Sequence, residues 1–380
     1  MEFIPFEQAV EIWDTLRKPI NAKERQNRIE GKAASELYPY YGATGQVGYI
    51  DGYISDGEYV LLGEDGAPFL NPTATKAYLI HGKAWVNNHA HVLRSKINNA
   101  FLCYYLNYFN YKDYVSGTTR LKLTQSSMKQ IPIPSPPPAE QERIVARIEE
   151  MFSQLDASVA ELKTAKERLG VYRQAVLKEA FDLCPEEKAL SSVCIHITDG
   201  DHMPPPKSKT GIPFIMISNI HHNRINWSNT ANVDRKYYAN IDEKRRPQNG
   251  DVLYTVTGSF GIPVLVDYNK LFCFQRHIAL LRPNKSITQK FLYYAMQDPR
   301  VYSQAVKKAT GTAQKTVGLS VLRELRIPFI EAIEVQKKIV SKIEAHIFVC
   351  DSIEKTVDTA LQQAEALRQS ILKKAFEGGL

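Results

Sequence analysis

The chain of 380 residues holds only five cysteines, Cys103, Cys184, Cys194, Cys273 and Cys350, which are scattered, odd in number and never in CxxC spacing. That usage argues against both a disulfide framework and a cysteine-built zinc site. No apolar run approaches the roughly 18 residues that a membrane span requires. The opening MEFIPFEQAV has no basic region followed by an apolar core, so the reading is a cytoplasmic protein with no signal peptide and no membrane contact. Common catalytic signatures are missing as well. Gly31-Lys32 and Gly82-Lys83 are each followed by alanine and lack the glycine spacing of a phosphate loop, and neither a GxSxG elbow nor HExxH occurs.

What the chain does have is repetition. A gapless step of 195 residues puts Gln141 on Gln336, Ile144 on Ile339, Val145 on Val340, Ile148 on Ile343, Glu149 on Glu344 and Asp156 on Asp351. The same step puts Arg173 on Arg368, Gln174 on Gln369, Leu177 on Leu372, Lys178 on Lys373 and Ala180-Phe181 on Ala375-Phe376. Two unrelated amphipathic helices would share apolar spacing but not these polar identities, so the chain is a tandem duplication.

Each copy reads as a globular segment followed by a long helix. Residues 1–130 alternate β-type runs with glycine-rich turns (38–69 and 75–95) before a short helix near 98–108, the pattern of a mixed α/β or α+β domain. IPIPSPPP then forces an extended exit, because each proline biases its predecessor away from helix. A helix starts near Pro138, and Ile148, Phe152, Leu155, Val159, Leu162 and Leu169, with Lys166 in the expected seventh place, keep the four-three spacing of a coiled-coil seam. The first spacer helix therefore lies in 131–185. Residues 186–326 follow the plan of the first domain: EYVLLGEDG parallels DVLYTVTGS, and NHAHVLR parallels RHIALLR, with His89 on His277 and Arg94 on Arg282. The second spacer, 327–380, has its own seam at Ile343, Ile347, Cys350, Val357, Leu361 and Ala364. If the two helices pair, the returning chain makes them antiparallel and relates the halves by a pseudo-twofold axis. The domains are then expected at opposite ends.

The net charge of +7 is unevenly placed: residues 1–130 carry about +1, whereas 182–330 carry +8, with 20 Lys and Arg against 12 Asp and Glu. A basic domain of this size favours a polyanion such as nucleic acid. Weaker signals take blander readings. His89 and His91 would share a strand face but have no evident third ligand and read as structural, and Asp199, Asp201 and His202 in TDGDHMPPP read as a turn. Of the twelve tyrosines in the first segment, one or two are credited with stacking on bases and the rest with core or rim positions.

IPIPSPPPAEQERIVARIE and IPFIEAIEVQKKIVSKIE, the domain stretch YPYYGATGQVGYIDGYISDGEYVLLGEDGA and WVNNHAHVL together resemble the DNA-specificity subunit of type I restriction-modification enzymes. The resemblance implies two target-recognition domains, each reading one half of a split double-stranded DNA site, with helices that measure the gap. It implies two modification (methyltransferase) and two restriction (translocase/nuclease) subunits around this chain. S-adenosylmethionine, ATP and Mg are then used by those partners and no cofactor by this chain, which by itself neither methylates nor cuts DNA. Candidate DNA contacts are Thr118, Thr119, Arg120 and Lys122 in the first domain and Thr312, Gln314 and Lys315 in the matching loop of the second. His202, Lys207, Lys209 and Arg276 complete the set, since arginine and lysine serve phosphates and guanine edges and glutamine suits adenine. Two rival classes are a self-contained methyltransferase or nuclease, which would bind S-adenosylmethionine unaided, and a purely structural coiled-coil scaffold, which would show no DNA preference even with partners.

Overall fold

The computed structural model describes residues 2–202, 205–206, 208–312 and 314–378. It divides into two compact units, residues 1–164 with 357–380, and residues 165–356.

In the first unit a six-stranded sheet is built from β1 (Val10–Ile12), β2 (Tyr38–Gly42), β3 (Gly45–Ile50), β4 (Ser55–Gly63), β5 (Ala77–Val86) and β6 (Ala90–Ser95), in the order β1-β6-β4-β5-β2-β3. Glycine at the turn between β2 and β3, together with β-branched and aromatic residues along the strands, gives this segment its extended preference. All neighbours are antiparallel except β2 and β5, which run parallel through Tyr40 opposite Trp85. Helix α1 (Asn99–Tyr108), capped by the Asn98 side chain on Phe101 N at 3.0 Å, lays Phe101, Leu102, Tyr105 and Leu106 into the core. The chain enters and leaves this domain as a two-stranded ribbon, Phe3–Ile4 against Ile133–Pro134.

Helix α2 (Pro138–Phe181) follows, 44 residues and so about 66 Å long. Pro137 closes its N-terminus, its carbonyl accepting from Glu140 N and Gln141 N. Residues 138–164 lie in the first unit and 165–181 in the second.

The second domain repeats the plan with β7 (Cys194–Asp199), β8 (Ile212–Ile215), β9 (Ala231–Val233), β10 (Val252–Thr255), β11 (Pro263–Leu265), β12 (Cys273–Phe274) and β13 (Ile278–Pro283). Here two sheets replace one, β7-β13-β10-β11 and β9-β8-β12. The long β5 of the first domain, which joins β4 to β2, corresponds to β11 and β12, separated by residues 266–272. The parallel contact survives as Phe214 opposite Cys273. Helix α3 (Gln289–Ala295) matches α1, and the entry and exit ribbon recurs as Glu186–Ala189 against Arg326–Phe329. Helix α4 (Ile333–Glu377) ends the chain, with 333–356 in the second unit and 357–377 in the first.

Within each unit the two long helices run antiparallel. In the second, Glu179 meets Lys342 at 2.8 Å, Tyr172 meets His346 at 2.8 Å, and Arg173 bridges Asp351 at 2.8 Å and Glu354 at 2.7 Å, one number rising as the other falls. In the first, Arg368 pairs with Asp156 and stacks on Phe152. Two of the duplicated polar identities are thus the two sides of one repeated ion pair, Asp156–Arg368 and Asp351–Arg173. The predicted seam is buried or half-buried throughout. Lys166 is accommodated there because Glu354 lies 3.7 Å away across it. The ends dock on the domains: Phe376 packs on Phe101, Tyr105 and Tyr108, and Phe181 edge-on against Phe291 with centroids 5.3 Å apart. Each such buried phenyl contributes about 1.5–3 kcal/mol. Among the described residues no helix is long and apolar enough to cross a membrane.

One buried group opposes the first domain's stability. Lys76 is 1% exposed, and among the described residues its ammonium donates to the carbonyls of Pro72 (3.1 Å) and Asn107 (3.4 Å) and meets no carboxylate, so burial pulls its pKa down to about 8. The folded pKa lies below the unfolded value, so the penalty is full below pH 8 and is relieved as pH rises toward the unfolded pKa near 10.4. Lys76→Met is expected to raise stability at pH 7 by about 1–3 kcal/mol, with the gain shrinking between pH 8 and 10. Thermal melts of the two proteins across that range check it.

Candidate nucleic-acid interface

Of the predicted first-domain residues, Thr118, Thr119 and Arg120 sit exposed on one five-residue turn, Gly117 to Leu121, which Lys122 closes through reciprocal hydrogen bonds with Ser116 at 3.0 and 2.8 Å. Gly66 N donates to Leu121 O and Leu123 N to Glu64 O, which fasten the turn to the end of β4. The second domain reproduces this bond for bond. Thr310 and Thr316 close the turn at 3.0 and 2.7 Å, Gly258 N donates to Lys315 O, and Val317 N donates to Val256 O. His89 and His277 take the same place, their carbonyls accepting from Glu64 N and Val256 N.

This superposition makes Arg120 the counterpart of Gln314. Both side chains lie over a glycine with positive φ: a Cβ on Gly66 would come within 3.2 Å of Arg120 Nε, and one on Gly258 within 2.7 Å of Gln314 Nε2. Gly117 and Gly311, at φ +95° and +106°, each start the turn where a Cβ would meet a backbone carbonyl at 2.4 Å. The backbone is common, and the chemistry it presents is not. In the first domain Arg120 is held by Asp65 at 2.6 Å and lies 3.3 Å from His89 Nδ1, and Lys122 lies 3.4 Å from Glu64. In the second, Thr257 stands in the place of Asp65, and Gln314 shares a cleft of about 370 Å³ with Asp199, Thr257, Arg276 and His277. An ion pair in one copy is a neutral amide and hydroxyl in the other.

Arg276 and His277 also line an adjoining cleft of about 420 Å³ with Asp201, His202, Phe214, Asn232 and Gln275. Asp199, ending β7, holds His202 at 2.8 Å and lies 3.5 Å from Arg245, while Asp201 accepts from the Tyr237 hydroxyl at 2.7 Å. Burial, then the contact with Asp201, raises the Tyr237 pKa well above its ordinary value and keeps the phenol protonated. Gly200 carries no side chain because the Phe274 carbonyl occupies the space a Cβ would need, at 2.0 Å.

The structure therefore brings His202, Arg276 and Gln314 to two connected clefts and leaves Thr118, Thr119, Arg120, Lys122, Thr312, Lys315 and Lys209 exposed on turns; Lys207 lies outside the described residues. Sequence reasoning paired His89 with His277 but missed Asp65, Thr257, Asn232 and Gln275. The first two follow from the glycine each precedes, Asp65-Gly66 and Thr257-Gly258; nothing in the sequence marks the others. His91 is structural, 1% exposed, with Nδ1 2.8 Å from Asp14 and Nε2 3.1 Å from the Leu123 carbonyl. Tyr49 and Tyr53 are the tyrosines of the first domain most open to solvent, at 52% and 44% exposure.

Mixed α/β domains alternate along the chain with long helices, and each domain presents a polar turn on the same backbone, the class of a duplicated two-domain, two-helix protein. The chain belongs to the type I restriction-modification DNA specificity family, whose domain model matches it twice, over residues 11–167 and 187–363. Among relatives, a provisionally named type I restriction enzyme specificity subunit of Haemophilus influenzae is 26% identical over 96% of this chain and 92% of its own length. The EcoBI specificity subunit of Escherichia coli is 27% identical over 70% of this chain and 62% of that subunit. A chain from a solved type I restriction-modification system aligns over the whole of both chains with a TM-score of 0.68 at 18% identity, a likeness of fold.

Proposed function

We propose that this chain is the DNA-reading subunit of a type I restriction-modification complex, each domain recognising one half of a split duplex site and the paired helices setting the gap between the halves. The observation that carries this reading is the repeated turn, whose backbone is preserved in both domains while Arg120 is exchanged for Gln314. A frame that is constant can serve what the half-sites share, the phosphate backbone, and a side chain that changes can serve what differs, the base edges. Arginine suits the O6 and N7 acceptors of guanine, and glutamine the N6 and N7 of adenine.

Two modification subunits and two restriction subunits assemble around the chain in this reading, in the cytoplasm. S-adenosylmethionine, ATP and Mg are used by them; this subunit supplies address and spacing. The excess of cations in the second domain gives that half the larger share of sequence-independent attraction to DNA.

Arg120→Ala and Gln314→Ala test the assignment in the complex reconstituted with its modification subunits. Each is expected to relax base preference at one half-site only, by about 1–3 kcal/mol at the affected position. Sequencing of the methylated adenines reads this directly. An equal loss over both halves from either single substitution would overturn the assignment of one domain to one half-site.

A further inference from the structure

Each domain meets its long helices through a buried glutamine that neither the ion pairs nor the DNA-facing turns explain. Gln141, 4% exposed, accepts from the backbone N–H of Asn98 at 2.9 Å and donates to the Pro136 carbonyl at 2.8 Å. Gln336, fully buried, accepts from Thr288 N at 2.8 Å and donates to the carbonyls of Ser286 and Ile330, both at 2.8 Å. Asn98 and Thr288 are the N-caps of α1 and α3, their side chains already accepting from Phe101 N and Phe291 N. One amide thus ties together the extended arm, the first turn of a long helix and the start of the domain helix. The other long helix grips the same domain helix with its last phenylalanine, Phe376 on Phe101 and Phe181 on Phe291. In both copies Oε1 accepts from the N–H of the N-cap residue and Nε2 donates to a carbonyl of the extended arm, with Gln336 adding the Ser286 carbonyl, although the domains around them have diverged.

A coiled-coil seam needs no such contact, and neither does a base-reading turn. A ruler does, because a rigid rod measures distance only if what it carries is fixed to it. We propose that Gln141 and Gln336 are positioning residues for spacing readout, locking each recognition domain to its helix so that rod length becomes a single permitted gap. This rests on the proposed function. Misplacement of about 1 Å can cost a reaction about 100-fold, so a rigid joint penalises a wrong gap steeply and a loosened one does not.

The test uses the full chain assembled with its modification subunits and duplexes that keep both mapped half-sites while the gap varies by up to two base pairs either way. For Gln141→Met and for Gln336→Met, methylation at gaps one base pair off is expected to rise from roughly a hundredth to about a tenth of the rate at the preferred gap, with both half-site sequences unchanged. Phe376→Leu, which keeps an apolar contact, should broaden the gap in the same direction if the glutamine variants assemble poorly. Val92→Ala, fully buried in a separate core cluster of the first domain that contains none of the joint residues, is the control for lost stability and should keep a sharp gap. A sharp gap in the glutamine and Phe376 variants, with melting lowered as in the control, would reduce the joint to a structural contact and overturn the proposal. Altered half-sites would overturn it too. An unsubstituted complex that methylates no two-part site would sink the proposed function instead.

Discussion

Replacing Asp251 with alanine is expected to destabilise the second domain by about 3–5 kcal/mol, the range for removing one partner of a buried pair. Asp251 is 2% exposed and accepts from Arg282 Nε and Nη2, both at 2.9 Å, and from the backbone N–H of Gln248 at 2.8 Å. Arg282 also donates to the Arg246 carbonyl at 2.9 Å, and its pairing with Asp251 outweighs burial to hold its pKa above the usual value. Without the carboxylate a guanidinium stays in the interior with one carbonyl for company. The pair joins the end of β13 to the residue before β10, the strands that carry His277 and Val256 to the candidate interface. Loss of the pair should therefore cost one half of the DNA site. The measurement is chemical denaturation of the chain followed by methylation mapping with its partners. Asp251→Ala/Arg282→Met should recover much of the stability, because it removes the stranded charge.

That pair also marks where the sequence stops being informative. Arg94 and Arg282 align, yet Arg94 stacks on Trp13 while Arg282 grips Asp251. Alignment carries the residue and not its partner. The long helices were legible because their identities fall at one constant step and several have a repeated use: Asp156 and Asp351 pair with Arg368 and Arg173, Ile148 and Ile343 are buried, and Phe181 and Phe376 close the domain ends. The domains were legible only in plan. Insertions change the step: the turns match in sequence through Gly117-Thr118 and Gly311-Thr312, and the backbone hydrogen bonds add that Arg120 and Gln314 hold one place, but residues 266–272 split one long strand into two, which no spacing rule specifies. Gln141 and Gln336 were visible as identities but not as joints, since their partners are backbone groups that carry no side-chain signal.

Inserting four residues at Leu162 of α2, alone or with four at the corresponding seam position Val357 of α4, is expected to lengthen the gap between half-sites and leave both half-sequences unchanged. Four residues add about 6 Å and turn the helix by roughly 40° beyond a full turn, which nearly keeps the apolar stripe in phase. At about 3.4 Å per base pair that corresponds to one or two extra base pairs. With α2 alone lengthened, the antiparallel register must slip in one unit, so Arg173 moves off Asp351 and Glu354 or Arg368 off Asp156. The paired insertion keeps both contacts and should be the more active. Two residues instead turn the stripe by about 200°, bringing the polar face of α2 onto the seam, and assembly with the modification subunits should fail. Genome-wide mapping of methylated sites for each variant separates the outcomes. An unchanged gap in an active four-residue variant would mean that the helices hold the domains without measuring the DNA.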